Sequence, residues 1–198
     1  MTKLASIRKT LAKYITEPIV TLVAKTPLTP NIITLIGFII TIGAGALVVT
    51  EHFLAAGIIV LVAGLFDMLD GALARMTNKT TRFGAILDST LDRISEAILL
   101  ISLLAVFARS GLATESILSG VALVGSLLVS YIRARMEGLG VECKAGLFTR
   151  PERVIILALG LMLSQFANAL LITLSVLTFF SWFTVIERMV FAWNKLKE

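Results

Sequence analysis

Asp67, Asp70, Asp88 and Asp92 fall within one stretch, FDMLDGALARMTNKTTRFGAILDSTLDRISE (residues 66–96). Asp67 and Asp70 stand at i, i+3 and Asp88 and Asp92 at i, i+4, so on helices each pair lines one face. Ionised carboxylates brought within a few ångströms repel one another, and at membrane depth they are poorly solvated as well. A cation must hold them together. An oxygen-only donor set with no histidine or thiolate nearby suits Mg2+ or Mn2+ rather than zinc, and four carboxylates are enough for two ions about 3.5 to 4 Å apart. Such ions also bind phosphate oxygens, which points to a substrate carrying phosphate or diphosphate. A purely structural salt-bridge cluster would leave four carboxylates facing one or two arginines, with too much charge unpaired.

Gly71 lies beside Asp70, and Gly84 lies four residues before Asp88. Both permit close approach, either of a ligand's phosphates or of another helix, and the residues alone leave that choice open. Arg75 can grip phosphate with its forked guanidinium or anchor a helix end at the membrane surface.

These residues are carried by a very apolar chain. Of its 198 residues 57% are hydrophobic and 16% charged, and the mean hydropathy is +0.94; a soluble domain is about 45–50% apolar and about 25% charged. Charge-free runs cover residues 26–50, 53–66, 97–108, 116–132 and 154–186. About 20 helical residues span a hydrocarbon core of about 30 Å, so the last run is too long for one crossing. Continuous apolar runs exclude a β-barrel, whose strands alternate. The reading is an all-α polytopic membrane protein of one domain, residues 1–198. Its six spans are expected at about 32–51, 53–76, 82–108, 113–136, 150–168 and 171–193, the last two divided near Asn168. Spans two and three, joined by a short loop, are expected to be antiparallel neighbours whose acidic faces meet.

With the N-terminus inside, every Lys and Arg except Arg93 and Arg109 falls on the inner side, in accord with the cytoplasmic bias of basic residues. Both termini are therefore expected in the cytoplasm, in a plasma or inner membrane. Leu4, Ile7, Leu11, Tyr14, Ile15 and Leu22 recur at helical spacing among lysines and arginines, which predicts an amphipathic helix over about 3–25 in the inner headgroup layer. This start lacks the compact layout of a cleaved signal, and the N-terminus is expected to be retained. The net charge of +5 is explained by the membrane and needs no nucleic acid. The lone cysteine, Cys143, excludes a disulfide within the chain and two-cysteine metal motifs.

Asp67, Asp70, Gly71, Ala74, Arg75, Gly84, Asp88 and Asp92 fit, position for position, the pattern D-x2-D-G-x2-A-R-x8-G-x3-D-x3-D. With that pattern the chain resembles the CDP-alcohol phosphatidyltransferases over its whole length, including Pro30, Asn31 and Thr34 at the start of span one. The resemblance implies transfer of a phosphatidyl-type group from a CDP-linked lipid to an alcohol, with release of CMP, at a cytoplasm-facing site. It implies that Asp67, Asp70 and Asp88 are metal ligands. Asp92 would stand near the metals and act as general base on the acceptor hydroxyl. Asn31, Gly71, Ala74, Arg75 and Gly84 would lie at the cytidine diphosphate. Family members usually form homodimers.

A second charged cluster, SYIRARMEGLGVECKAGLFTRPER, places Arg133 and Arg135 at the end of span four and Arg150 and Arg153 at the start of span five. Membrane anchoring alone can produce such a cluster; facing the metals, it would bind a phosphate of the acceptor. The segment is similar to the inositol-phosphate branch of the family. That similarity implies that Ser130, Arg133, Arg135 and Arg153 hold inositol phosphate together with Arg188. Arg133 stands where lysine is commoner, and Glu187 where glutamine commonly precedes Arg188. Glycerol 3-phosphate is the alternative acceptor. A cation transporter is the alternative from another class, but spans three to six are nearly uncharged through their middles apart from Arg93 and Glu96. Glu96 reads as a partner for Arg93 or an inner-bundle residue. His52, in the outer turn, receives no role.

Overall fold

The computed structural model describes residues 20–22, 24 and 26–197. Most of the amphipathic helix expected at about 3–25 lies outside the described residues. Val20, within the described part, is buried beside Ile33, Leu69 and Leu73.

Six helices follow: α1 (Pro30–Val49), α2 (Phe53–Met76), α3 (Arg82–Arg109), α4 (Ala113–Gly138), α5 (Arg150–Met162) and α6 (Ala169–Leu196). Those that begin on the side of the aspartates are opened by threonine caps. Thr29 accepts from the Ile32 N–H ahead of Pro30, and Thr81 accepts from the Gly84 N–H at 2.9 Å. Thr149 and Glu152 form a capping box, with Pro151 in the first turn. Each device satisfies amide hydrogens that have no partner within the helix.

Among the described residues, α1, α2, α4 and α6 are long and apolar enough to cross a membrane. Helix α3 is as long, at 28 residues, but carries Asp88, Asp92, Arg93 and Glu96 in its first four to five turns. Helix α5 has 13 residues, about 20 Å at 1.5 Å per residue. It ends at Met162 instead of the expected 168. The turn formers Ser164, Gln165 and Asn168 reverse the chain there, with Asn168 in the left-handed region at φ 62°, a conformation asparagine tolerates.

The helices close a ring in the order α1, α3, α4, α6, α5, α2, each packed chiefly on its two neighbours. Helices α2 and α3 are thus not principal packing partners, contrary to expectation, because α1 packs against both. Small residues allow it. A Cβ at Gly37 would sit 3.1 Å from the Phe66 Cβ of α2, and one at Gly45 only 2.6 Å from the Ile98 Cγ2 of α3. The interior is filled by Ala44, Val48, Val60, Leu99, Leu103, Leu157, Leu161 and Leu174. Ile39, Ile117, Ile172 and Phe179 point outward. The acidic faces of α2 and α3 look across the ring interior at one end.

Candidate active site

A cavity of about 180 Å³ opens at that end between the first turns of α1 and α3 and the last turns of α2. From α1 it takes Pro30, Asn31 and Thr34; from α2, Asp70, Gly71, Ala74 and Arg75; from α3, Gly84, Ala85 and Asp88. Residues named by the sequence pattern and by the family resemblance thus come together in one pocket from three helices. Lys79, Thr80 and Thr81 of the α2–α3 turn complete the lining and were not singled out beforehand. A Lys and two threonines in the short turn that joins the two aspartate-bearing helices are the available signal.

The backbone explains two of these positions. A side chain at Gly84 would put its Cβ 2.9 Å from Thr81 Oγ1 and 3.0 Å from Asn31 Oδ1, so glycine lets Asn31 reach over the start of α3. Thr34 Oγ1 donates to Asp70 Oδ2 at 2.6 Å in a buried contact, which orients one carboxylate oxygen and leaves the other for a ligand.

The remaining aspartates meet at Arg150. Its Nη2 lies 2.7 Å from Asp67 Oδ2 and its Nη1 2.7 Å from Asp92 Oδ1, with all three side chains largely buried. Asp88 stands within electrostatic range of Asp67, Arg150 and Arg93. Among the described residues no three acidic, histidine or cysteine side chains already converge as ligands of one ion. The donor chemistry nevertheless fits a hard divalent cation: Asp70 of α2 and Asp88 of α3 line one cavity with carboxylate oxygens, without sulfur or imidazole.

Glu96, one turn beyond Asp92, takes Arg153 instead of Arg93. Arg153 Nε and Nη2 reach Glu96 Oε1 and Oε2 at 2.6 and 2.8 Å, and Nη1 donates to the Phe148 carbonyl at 3.4 Å. Arg93 instead donates to the Ser89 carbonyl. A small cavity of about 20 Å³, lined by Asp67, Arg150, Glu96 and Arg153, joins the two ion pairs. Its size is that of about one water.

Among the expected acceptor residues, Arg153 is 2% and Arg188 3% exposed. Arg188 donates through Nε to Ala145 O at 3.1 Å and through Nη1 to Val129 O, while Glu187 accepts from the Gly146 N–H at 3.2 Å. Arg188 lies within electrostatic range of Arg133 and Arg153. Arg133 pairs with Glu137 at 2.8 Å in an exposed contact. Ser130 is half-buried on the same helix, and Arg135 is exposed. Two residues apart near the end of α4, Arg133 and Arg135 leave the helix axis in directions about 200° apart.

Residues 27–191 match the CDP-alcohol phosphatidyltransferase family. The archaetidylinositol phosphate synthase of Methanothermobacter thermautotrophicus is 37% identical over 199 residues, covering 98% of this chain and 96% of its own. The structure of Mycobacterium tuberculosis phosphatidylinositol phosphate synthase with CDP-DAG bound superposes with a TM-score of 0.82 at 34% identity, over 91% of this chain and 94% of that one. The same enzyme in complex with manganese and citrate gives 0.81 at 34% identity, over 90% and 88%.

Proposed function

The chain belongs to the CDP-alcohol phosphatidyltransferase family and is an integral membrane protein, and from that premise we propose that it transfers a phosphatidyl-type group from a CDP-linked lipid to inositol phosphate. The products are CMP and a phosphatidylinositol phosphate or its ether-lipid counterpart. The observation that carries this reading is the single cavity lined by Asn31, Gly71, Ala74, Arg75 and Gly84 together with Asp70 and Asp88. Relatives named for inositol phosphate chemistry support the choice of acceptor.

Arg75 and the glycine-lined walls receive the diphosphate, the glycines because no side chain blocks its approach. Asp67, Asp70, Asp88 and Asp92 would hold Mg2+ or Mn2+, as two ions, whose Lewis acidity would polarise the diphosphate and favour departure of CMP. Asp92 takes the proton of the acceptor hydroxyl as its oxygen attacks the phosphorus, a general-base role. Arg133, Arg135, Arg153 and Arg188, with Ser130, bind the acceptor's own phosphate. The protein acts as one domain and as a homodimer, with both termini and the site in the cytoplasm. The inner-side placement of Lys and Arg supports that orientation.

The test is CMP release by purified protein from CDP-diacylglycerol and CDP-archaeol with Mg2+ or Mn2+, comparing inositol phosphate, free inositol, glycerol 3-phosphate and serine. Metal-dependent release that requires inositol phosphate is expected. Release with glycerol 3-phosphate alone would keep the chemistry and overturn the acceptor; no metal-dependent release with any acceptor would overturn the reading.

A further inference from the structure

We infer that Arg150 is a positioning residue, whose guanidinium fixes Asp67 and Asp92 relative to one another so that the general base and a metal-binding carboxylate present their remaining oxygens together; this rests on the function proposed above. The two carboxylates come from α2 and α3, which are not principal packing partners. Arg150 bridges them from a third helix, α5, with both N···O distances at 2.7 Å. Side-chain exposures of 22% for Arg150, 22% for Asp67 and 17% for Asp92 leave the bridge little loosened by water.

The chemistry of the group matters here. A guanidinium is planar and presents nitrogens in a rigid fork, so two oxygens bound to it are held at one spacing and in one plane. A lysine ammonium is a point charge and imposes no such geometry. Arginine also keeps its proton, so Arg150 orients Asp92 without competing for the proton that Asp92 removes. Arg150 engages Asp67 Oδ2 and Asp92 Oδ1, which leaves the second oxygen of each carboxylate outside the bridge. Arg150 Nε is buried without a hydrogen-bond partner among the described residues, so the side chain is arranged around its two aspartates at some expense to its own hydrogen bonding.

Arg150 is itself aimed from behind. The Thr149–Glu152 capping box and Pro151 set the first turn of α5. One turn on, Arg153 is gripped by Glu96, which stands one turn beyond Asp92 on α3. Two acidic residues at i, i+4 on α3 thus receive two arginines at i, i+3 on α5. Cations that hold metal-binding carboxylates from outside commonly change metal affinity or activity about 10- to 100-fold when removed.

Arg150→Lys, which keeps the charge and loses the fork, is compared with wild type and Arg150→Gln in detergent-solubilised full-length protein. Two readouts are taken: a Mn2+ titration followed by the free-ion electron paramagnetic resonance signal, which needs no turnover, and kcat and KM for CMP release. Arg150→Lys is expected to lose about 10- to 100-fold in Mn2+ affinity and a similar factor in kcat, with KM for inositol phosphate little changed. Arg150→Gln is expected to lose at least as much kcat. Wild-type Mn2+ affinity and kcat in Arg150→Lys would overturn the inference, as would a rise in acceptor KM alone, the signature of an acceptor ligand. A wild type that neither binds Mn2+ nor releases CMP would overturn the proposed function and this inference with it.

Discussion

On one side of the four aspartates, Asn31, Gly71, Arg75 and Gly84 leave a cavity of about 180 Å³ open between three helices. On the other side, Arg153 and Arg188 are buried, their guanidiniums already bonded to Glu96 and to the carbonyls of Phe148, Ala145 and Val129. The first side is a built space; the second is a built scaffold. Gly71, Ala74, Gly84 and Ala85 keep part of that cavity's wall free of long side chains, while Arg75 and Lys79 bring cationic groups to its lining. An acceptor phosphate approaching Arg153 or Arg188 meets cations whose orientation is set by the protein, and uses the donors that remain. Under the proposed function, specificity on the open side would come from shape, and on the closed side from the aim of a few preorganised charges.

That contrast can be broken most severely where the two sides join. Asp92→Asn removes the base and is expected to lower kcat about 10²- to 10⁴-fold, with CDP-lipid binding retained in a direct binding assay. Lost lipid binding with normal chemistry would contradict the base assignment. On the open side, Gly84→Val forces a side chain onto Asn31 and Thr81. Overpacking of about 1–3 kcal/mol should weaken CDP-lipid binding about 5- to 150-fold and leave acceptor KM unchanged; undisturbed CDP-lipid affinity would mean the cavity is not where the nucleotide sits. On the closed side, Glu96→Gln takes away the charge that aims Arg153. The loss of about 1.5 kcal/mol, as for a hydrogen bond to a charged group, should raise acceptor KM about tenfold and spare CDP-lipid binding. An unchanged acceptor KM would remove Arg153 from the proposed acceptor site.

The open side was the more legible of the two, for a physical reason. Asp67, Asp70, Gly71, Ala74 and Arg75 share a short run of α2, and Gly84, Asp88 and Asp92 a short run of α3, so helical periodicity alone orders them in space. Thr34 and Asn31 entered through resemblance, and the hydrogen bond from Thr34 to Asp70 explains their place. The closed side depends on partners far apart in the chain. Glu96 and Arg153 are separated by 57 positions and Arg188 and Val129 by 59, and no local rule pairs them. Sequence alone places Arg150 only in the basic cluster expected to bind acceptor phosphate, because nothing in its neighbourhood names Asp67 and Asp92 as its partners. The helices were legible from apolar runs, except where polarity stopped counting. Helix α5 stops at Met162 because an asparagine turn intervenes within an uncharged run. The expectation that α2 and α3 pack together failed because glycines at 37 and 45 bring α1 against both.

The paired arginines on α5 have a mechanical meaning. Arg150 and Arg153 sit one turn apart on a rigid rod of 13 residues, one holding Asp92, the proposed general base, and the other belonging to the proposed acceptor site. Any twist of that rod turns both at once, like two teeth on a single gear. A change on α5 that re-aims the acceptor arginine also detunes the base, so this helix is a poor place for selection to explore new alcohols. Variation is cheaper at Ser130 and Arg133 on α4 and at Glu187 on α6, which touch neither Asp67 nor Asp92. Lineages that swap acceptors while keeping the aspartates are expected to differ there first.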